Sequence, residues 1–332
     1  MTGRHRLHPD AALVARLRDR VCATLRPLIP RTAKVALLDF PAHSNPGDSA
    51  IWLGERAALR ALGVGRPVYT CEQETYDRAV LADRLGDGVI LFHGGGNLGD
   101  LYERHERFRE TVVCEFPGNR IVQLPQTIHF RDRRALERAR AAFNAHPDLT
   151  LLVRDEQSLA IARAEFRCQS ALCPDTAFLL APRVGRRPRR RVLWLLRTDQ
   201  EGAVPAEPTV TGQRVDWLAE RRFAALAIDR RLRWGVSLRL PPGMRGALLR
   251  ALQTPLARHR VRRGCRLLAD AETVVTDRLH AHILCVVLGI PHVLLDNSYG
   301  KILNFHRTWT AGSLLTRWAG SLAEAHGLVD PR

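Results

Sequence analysis

The residues Asp277-Arg278-Leu279-His280 place a carboxylate, a guanidinium and an imidazole within one short run. Such a set can hold a phosphate or carboxylate and also move a proton. The run follows the apolar, β-branched stretch Thr273–Thr276 and precedes an apolar segment that ends at Gly289 and Pro291, before a second apolar run, Val293–Leu295. The pattern predicts strand, helix, strand, with Asp277 as the helix cap. The turn after the first strand of such a unit lies at the carboxyl edge of a parallel sheet, where the free amides of a helix N-terminus attract anions. Arg278 is expected to face solvent there. His282 lies two residues beyond His280 and points about 200° away from it on a helix, so only one of the two can face a cleft. A buried βαβ unit, with Arg278 paired to Asp277 and His280 capping a turn, accounts for the same pattern.

Further polar clusters close other apolar runs. His43-Ser44-Asn45-Pro46-Gly47-Asp48-Ser49 demands a tight bend and opens a helix that Asp48 or Ser49 can cap. His93-Gly94-Gly95-Gly96-Asn97-Leu98-Gly99 formally contains the G-x-G-x-x-G dinucleotide fingerprint, but it follows a third strand and the next strand ends in Pro-Gln instead of a ribose-binding acid. His-Gly-Gly-Gly also resembles a lipase oxyanion loop, yet the chain has no G-x-S-x-G elbow. What remains is a glycine loop that lets a ligand touch the backbone. Gln123-Leu124-Pro125-Gln126-Thr127-Ile128-His129 reads as a proline-broken turn whose amide, hydroxyl and imidazole groups could bind a sugar or a phosphate; ordinary turn chemistry fits equally well. Arg154 either reaches a cleft or pairs locally, with Asp155 capping a helix. Arg197 ends an apolar strand beginning at Val192.

The elements that must position these groups alternate. Strands at 35–40, 68–70, 89–92, 121–124 and 149–153 are each followed by a helical pattern, at 48–62, 75–85, 98–114, 132–145 and 155–166, which predicts a doubly wound parallel sheet. An amphipathic helix over 11–28 is expected on the outside of this first unit. At 332 residues the chain is long enough for two domains. The stretch 183–191, rich in Arg, Pro and Gly, divides the chain into an N-terminal domain (1–182) and a C-terminal domain (192–332). A loop over 200–214, helices near 219–232 and 245–263, and a final helix from Thr310 to His326 that crosses back to the first domain complete the expectation.

The chain has 51 Lys and Arg against 34 Asp and Glu, a net charge of +17, and only Lys34 and Lys301 are lysines. The excess favours anionic partners such as phosphorylated substrates or an acidic membrane surface. Nucleic acid is disfavoured, because the basic residues are spread out, aromatics make up 6% and no nucleic-acid-binding motif is present. The seven cysteines have no ligand-like spacing, so no metal is expected. No apolar leader or membrane span is visible, which points to the cytoplasm.

Several blocks occur in the order seen in the polysaccharide pyruvyl transferase family. Asn45-x-Gly47-Asp48-x-Ala50-Ile51, Gly94-Gly95-Gly96-Asn97-Leu98-Gly99-Asp100, Pro125-Gln126-Thr127, Arg154-Asp155-Glu156-x-Ser158 and Arg278-Leu279-His280 followed by Gly289-Ile290-Pro291 resemble its motifs, covering most of the chain from Asn45 to Phe305. The resemblance implies an α/β fold of two Rossmann-like domains facing each other across a cleft, similar to GT-B glycosyltransferases. It further implies transfer of pyruvate from phosphoenolpyruvate to a carbohydrate acceptor as a ketal, with no cofactor. Arg278, Leu279, Arg197, Asn45, Gly94, Gly95, Gly96, Asn97 and Gln126 would then bind the donor. His280 would be the general acid, with Asp48 and His129 as base or sugar ligands. A lipid-linked acceptor would make the basic excess useful at the inner membrane face. A GT-B-type glycosyltransferase using a nucleotide sugar is the alternative activity.

Overall fold

Apolar runs buried on both faces can sit only inside a layered structure, and Val35–Leu38, Val89–Phe92 and Leu149–Val153 are buried along their whole length. The computed structural model describes residues 8–185, 188–199, 202, 214–218, 224–233 and 242–329. In chain order the elements are α1 (Ala11–Leu25), β1 (Val35–Leu38), α2 (Pro46–Ala61), β2 (Tyr69–Thr70), α3 (Arg78–Leu85), β3 (Val89–Phe92), β4 (Gly95–Gly99), α4 (Glu103–Glu115), β5 (Ile121–His129), α5 (Arg133–Ala145), β6 (Leu149–Val153), α6 (Glu156–Glu165), β7 (Gln169–Leu172), β8 (Arg190–Leu195), β9 (Arg214–Val215), α7 (Ala224–Arg233), α8 (Pro242–Ala269), β10 (Ala271–Thr276), α9 (Leu279–Leu288), β11 (His292–Leu294), α10 (Lys301–Phe305), β12 (Thr316–Trp318) and α11 (Leu322–Val329).

The strands form two sheets, and every pairing is parallel. The first runs β2-β1-β3-β5-β6-β7, with β4 attached to β5; the second runs β12-β11-β10-β8-β9. In each, the second strand is added on one side of the first and all later strands on the other. The winding therefore reverses between β1 and β3 in one sheet and between β8 and β10 in the other. Such reversal points, at the carboxyl ends of parallel strands, are where open α/β sheets bind ligands.

Four sequence expectations change. β5 runs on through Pro125 to His129 instead of breaking at the proline, because its register to β6 shifts between Gln123 and Gln126, and proline is tolerated at such an irregularity. The glycine run is not only a loop: Gly95–Gly99 forms β4, lying so close to β5 that a Cβ on Gly99 would sit 1.9 Å from the His129 carbonyl oxygen. The tail from Thr310 is a strand and a short helix, and α11 covers the outer face of the second sheet near Trp194 and Val293 instead of crossing back. The crossing element is α1. Its Leu13, Val14 and Leu17 join a core with Leu193, Val274, Leu284 and Phe305 of the second half, and Asp10 accepts hydrogen bonds from Ser313 Oγ and the Leu314 amide.

Between the sheets, Ala181–Gly185 has no regular structure, and the strand β8 already begins at Arg190, where Arg189 and Arg190 pair with Asp270. Residues 186 and 187, most of the expected loop over 200–214, and the start of the helix expected near 219 lie outside the described residues. Among the described residues no helix is long and apolar enough to cross a membrane.

Candidate active site

A pocket of about 330 Å³ opens between the two reversal points. The loop after β1 and the first turn of α2 supply Asp39, Asn45 and Asp48, and the segment after β3 supplies His93, Gly94, Gly96 and Asn97. Facing them, the ends of β8 and β10 supply Arg197, Arg278, Leu279 and His280, with Arg154 and Lys301 completing the wall.

His280 stands in the first turn of α9, directly over α2. A Cβ on Gly47 would lie 2.6 Å from His280 Nδ1 and 2.7 Å from its Cβ, so glycine at 47 makes room for the imidazole. This replaces the sequence reading of Gly47 as a bend, since it belongs to the first turn of α2, which Asn45 caps through a bond from the Gly47 amide. His280 Nε2 lies 3.3 Å from Asp175 Oδ2 and 3.4 Å from Arg154 Nη1. Asp175 also takes a 2.7 Å bond from Arg154 Nη1. Burial alone would push the Asp175 carboxyl up, but His280 and Arg154 hold it well below the usual carboxylate range. Arg154 is fixed in turn: Nε donates to Thr127 Oγ1 at 3.0 Å, and that hydroxyl donates to Asp155 Oδ2 at 3.0 Å. The imidazole thus has a carboxylate to donate to when charged and a guanidinium to accept from when neutral.

Cations gather on the opposite wall. Arg278 is buried, not solvent-facing; Nη2 donates to Asp216 Oδ2 at 2.6 Å, and its buried Nε has no hydrogen-bond partner among the described residues. Arg278 itself occupies the N-cap position expected for Asp277, and Asp277 Oδ1 instead accepts the Arg197 amide at 2.8 Å. Arg197 clasps Asp199 through Nε and Nη2 at 2.8 and 2.9 Å. Lys301 is buried, and a Cβ on Gly96 would lie 3.4 Å from its Nζ and 3.1 Å from Arg154 Nη2, so Gly96 leaves the space between two cations open.

The glycine segment is held from behind. Gln126 Oε1 accepts the Asn97 amide at 3.1 Å and Nε2 donates to Asn97 Oδ1 at 2.6 Å, while Arg109 Nη2 donates to the same Oδ1 at 3.0 Å. Buried Glu55 accepts from the Gly94 amide at 2.7 Å and faces His93 Nδ1 at 2.9 Å. Burial disfavours the His93 imidazolium, but the Glu55 carboxylate overrides it and raises the pKa. The half-buried Asp48 receives the Asn45 side-chain amide at 2.8 Å. Burial raises its pKa, yet His43, His280, His93 and Lys301 outweigh that and hold it below the ordinary range.

Of the residues singled out from sequence, Asn45, Asp48, Gly94, Gly96, Asn97, Arg197, Arg278, Leu279 and His280 line the one pocket. His129, Gly95 and Gln126 do not. His129 stacks on Tyr299 at 4.6 Å and accepts from Arg131, which carries it away from the pocket, and Gln126 is a buried brace for Asn97. Of the two histidines of α9, His280 faces the pocket and His282 is fully buried. Sequence reasoning missed Asp39, His93, His105, Asp175 and Lys301. The usable signals were Asp39 as an acid inside an apolar strand pattern, Asp175 ending the first half, and Lys301 as one of two lysines in an arginine-rich chain.

The model of the family described as polysaccharide pyruvyl transferase matches residues 45–299. Pyruvyl transferase 1 of Schizosaccharomyces pombe is 35% identical over 85% of this chain and 71% of its own length. A Bacillus subtilis (strain 168) relative designated EpsO is 31% identical over 87% of this chain and 89% of its own. Among solved structures, a functionally uncharacterised protein from Klebsiella pneumoniae subsp. pneumoniae NTUH-K2044 superposes with a TM-score of 0.57, covering 95% of this chain and all of that one at 16% identity, a likeness of fold alone.

Proposed function

The chain belongs to the polysaccharide pyruvyl transferase family, and on that premise we propose that its pocket moves pyruvate from phosphoenolpyruvate onto two hydroxyls of a sugar as a ketal. The observation that carries the reading is His280 Nε2 facing both Asp175 and Arg154. A group that must lose and regain a proton is served by having a partner in either state. His280 gives its proton to the methylene carbon of the donor, leaving an oxocarbenium-like centre for a hydroxyl to attack. Arg278, Arg197 and Lys301, with the free amides at the start of α9, hold the donor's phosphate and carboxylate. Asp199 and Asp216 stand where those anions would compete for the same guanidinium groups.

The same reading takes the two sheets as two Rossmann-like domains, joined near 183–191 and closing on the pocket in the manner of GT-B enzymes. The reversal of winding after the second strand, common to both sheets, supports it. A net charge of +17 supports contact with an anionic membrane carrying a lipid-linked acceptor. Binding to anionic liposomes that weakens as salt rises is the expected result, and no binding at any salt removes that part.

The central test has two arms. Phosphoenolpyruvate at a hundred times its Kd should stabilise the protein by about 2.7 kcal/mol. His280→Gln should keep most of that stabilisation yet release phosphate, with a glycoside acceptor present, about a hundred- to ten-thousandfold more slowly. No stabilisation by phosphoenolpyruvate, or an undiminished rate in the variant, would overturn the reading.

A further inference from the structure

Attack by a sugar hydroxyl needs a group to take its proton, and His129 lies outside the pocket. His105, near the start of α4, lies with Nδ1 2.7 and 3.0 Å from the two carboxylate oxygens of Asp39 at the end of β1. Asp39 is 2% exposed, and Gln73 Nε2 donates to its Oδ1 at 3.1 Å. It is also the only non-glycine residue, among those described, with a positive φ, +68°. That left-handed conformation costs of order 1 kcal/mol even for a residue type that tolerates it, and such strain collects at functional sites. The Phe40 amide, bonded to the Cys71 carbonyl at 2.8 Å, keeps the backbone on this path. Burial pushes the Asp39 carboxyl up, but its hydrogen bond to His105 and the surrounding cations bring it below the ordinary range.

With Nδ1–H committed to a carboxylate, the neutral ring leaves Nε2 as its acceptor. No described residue hydrogen-bonds that nitrogen. The His105 side chain lines the pocket and is 25% exposed, so a substrate can reach it. His93, whose Nδ1 faces a carboxylate in the same way, is only 3% exposed.

We propose that His105, oriented by the positioning residue Asp39, is the general base for the acceptor hydroxyl; the inference rests on the pyruvate transfer proposed above. The first hydroxyl oxygen bonds to the central carbon of the donor as its proton passes to His105 Nε2. The bond from that carbon to the phosphate oxygen then breaks, the electron pair leaves with phosphate, and His105 yields its proton to the departing phosphate. The second hydroxyl closes the ketal and returns a proton to His280, replacing the one spent on the methylene carbon. Of the two hydroxyl protons, one ends in the new methyl group and one on phosphate.

The test uses the full chain with phosphoenolpyruvate and methyl glycosides of hexoses bearing free 4- and 6-hydroxyls. His105→Gln should lower kcat about 10²- to 10⁴-fold while phosphoenolpyruvate still raises the melting temperature as in the wild type. His105→Gly should regain activity when imidazole is added, which a structural role would not permit. Asp39→Asn, which keeps the tolerance for positive φ, should lower kcat without changing KM for phosphoenolpyruvate. His105→Gln within roughly threefold of wild type, against that expected loss, would overturn the dyad alone, as would a folded His105→Gly that imidazole does not rescue. Absence of donor stabilisation in the wild type would overturn the donor reading and this proposal together.

Discussion

A Cβ at position 47 would fall within 2.7 Å of both Nδ1 and Cβ of His280, closer than real side chains approach one another. Gly47→Ala should therefore push the imidazole off Asp175 while leaving α2 and its Asn45 cap in place. Overpacking of this kind costs about 1–3 kcal/mol. The expected outcome is a loss of turnover approaching that of His280→Gln, with a melting temperature lowered by only a few degrees; turnover close to wild type would show that His280 can shift without consequence. Nothing near Gly47 in the chain announces this role, because the atom that forbids a side chain belongs to the other half of the sequence. Asp175 and Lys301 escaped a sequence reading for the same reason, since Asp175 meets His280 and Lys301 meets Gly96 across the two halves. Arg278, Leu279 and His280 were legible because one turn delivers all three together.

Among the elements, the unit β10–α9–β11 carries a buried histidine chain whose tautomers are fixed by its ends. His292 Nδ1 must donate to the Ile290 carbonyl at 2.9 Å, so its Nε2 accepts from His282 Nδ1 at 2.7 Å, and His282 Nε2 accepts the Thr310 hydroxyl at 2.8 Å. Both rings are neutral. Burial lowers the pKa of His282 well below its usual value, aided by His292 and His306, and burial brings His292 down to about 4. As pH falls below about 6.5 the unfolded chain takes up protons that these folded rings refuse, so stability declines from there towards pH 4. The unfolding free-energy difference between wild type and His292→Gln should shrink by about 2 kcal/mol from pH 6.5 to pH 5, measured by urea unfolding. A difference independent of pH would show that His292 takes up a proton as readily in the folded as in the unfolded chain. The strand–helix–strand pattern here was readable from apolar runs and the Gly289 stop. The continuation of β5 through Pro125 was not, because it depends on a register shift against β6.

At the scale of the molecule, one apolar core runs from α1 and Ala50 of α2 to β8, β10 and α9. Two halves joined by helices packed into one core in this way should unfold together even though each sheet carries its own reversal point. Tryptophan fluorescence, far-UV circular dichroism and calorimetry are expected to give one coincident transition; two resolved transitions would mean that the halves are separately stable. The parallel α/β class was legible from the alternation of runs, whereas the position of α1 was not, since an amphipathic stripe says that a helix is covered but not by what. That position bears on synthesis. The ribosome delivers α1 roughly 250 residues before α9, and at about 5–20 residues per second the helix waits some 12–50 s for the surface it docks on. For most of that interval Leu13, Val14 and Leu17 lack their native partners in the second sheet, so the nascent chain depends on rapid production of its later half, or on a chaperone, to keep that stripe from other company.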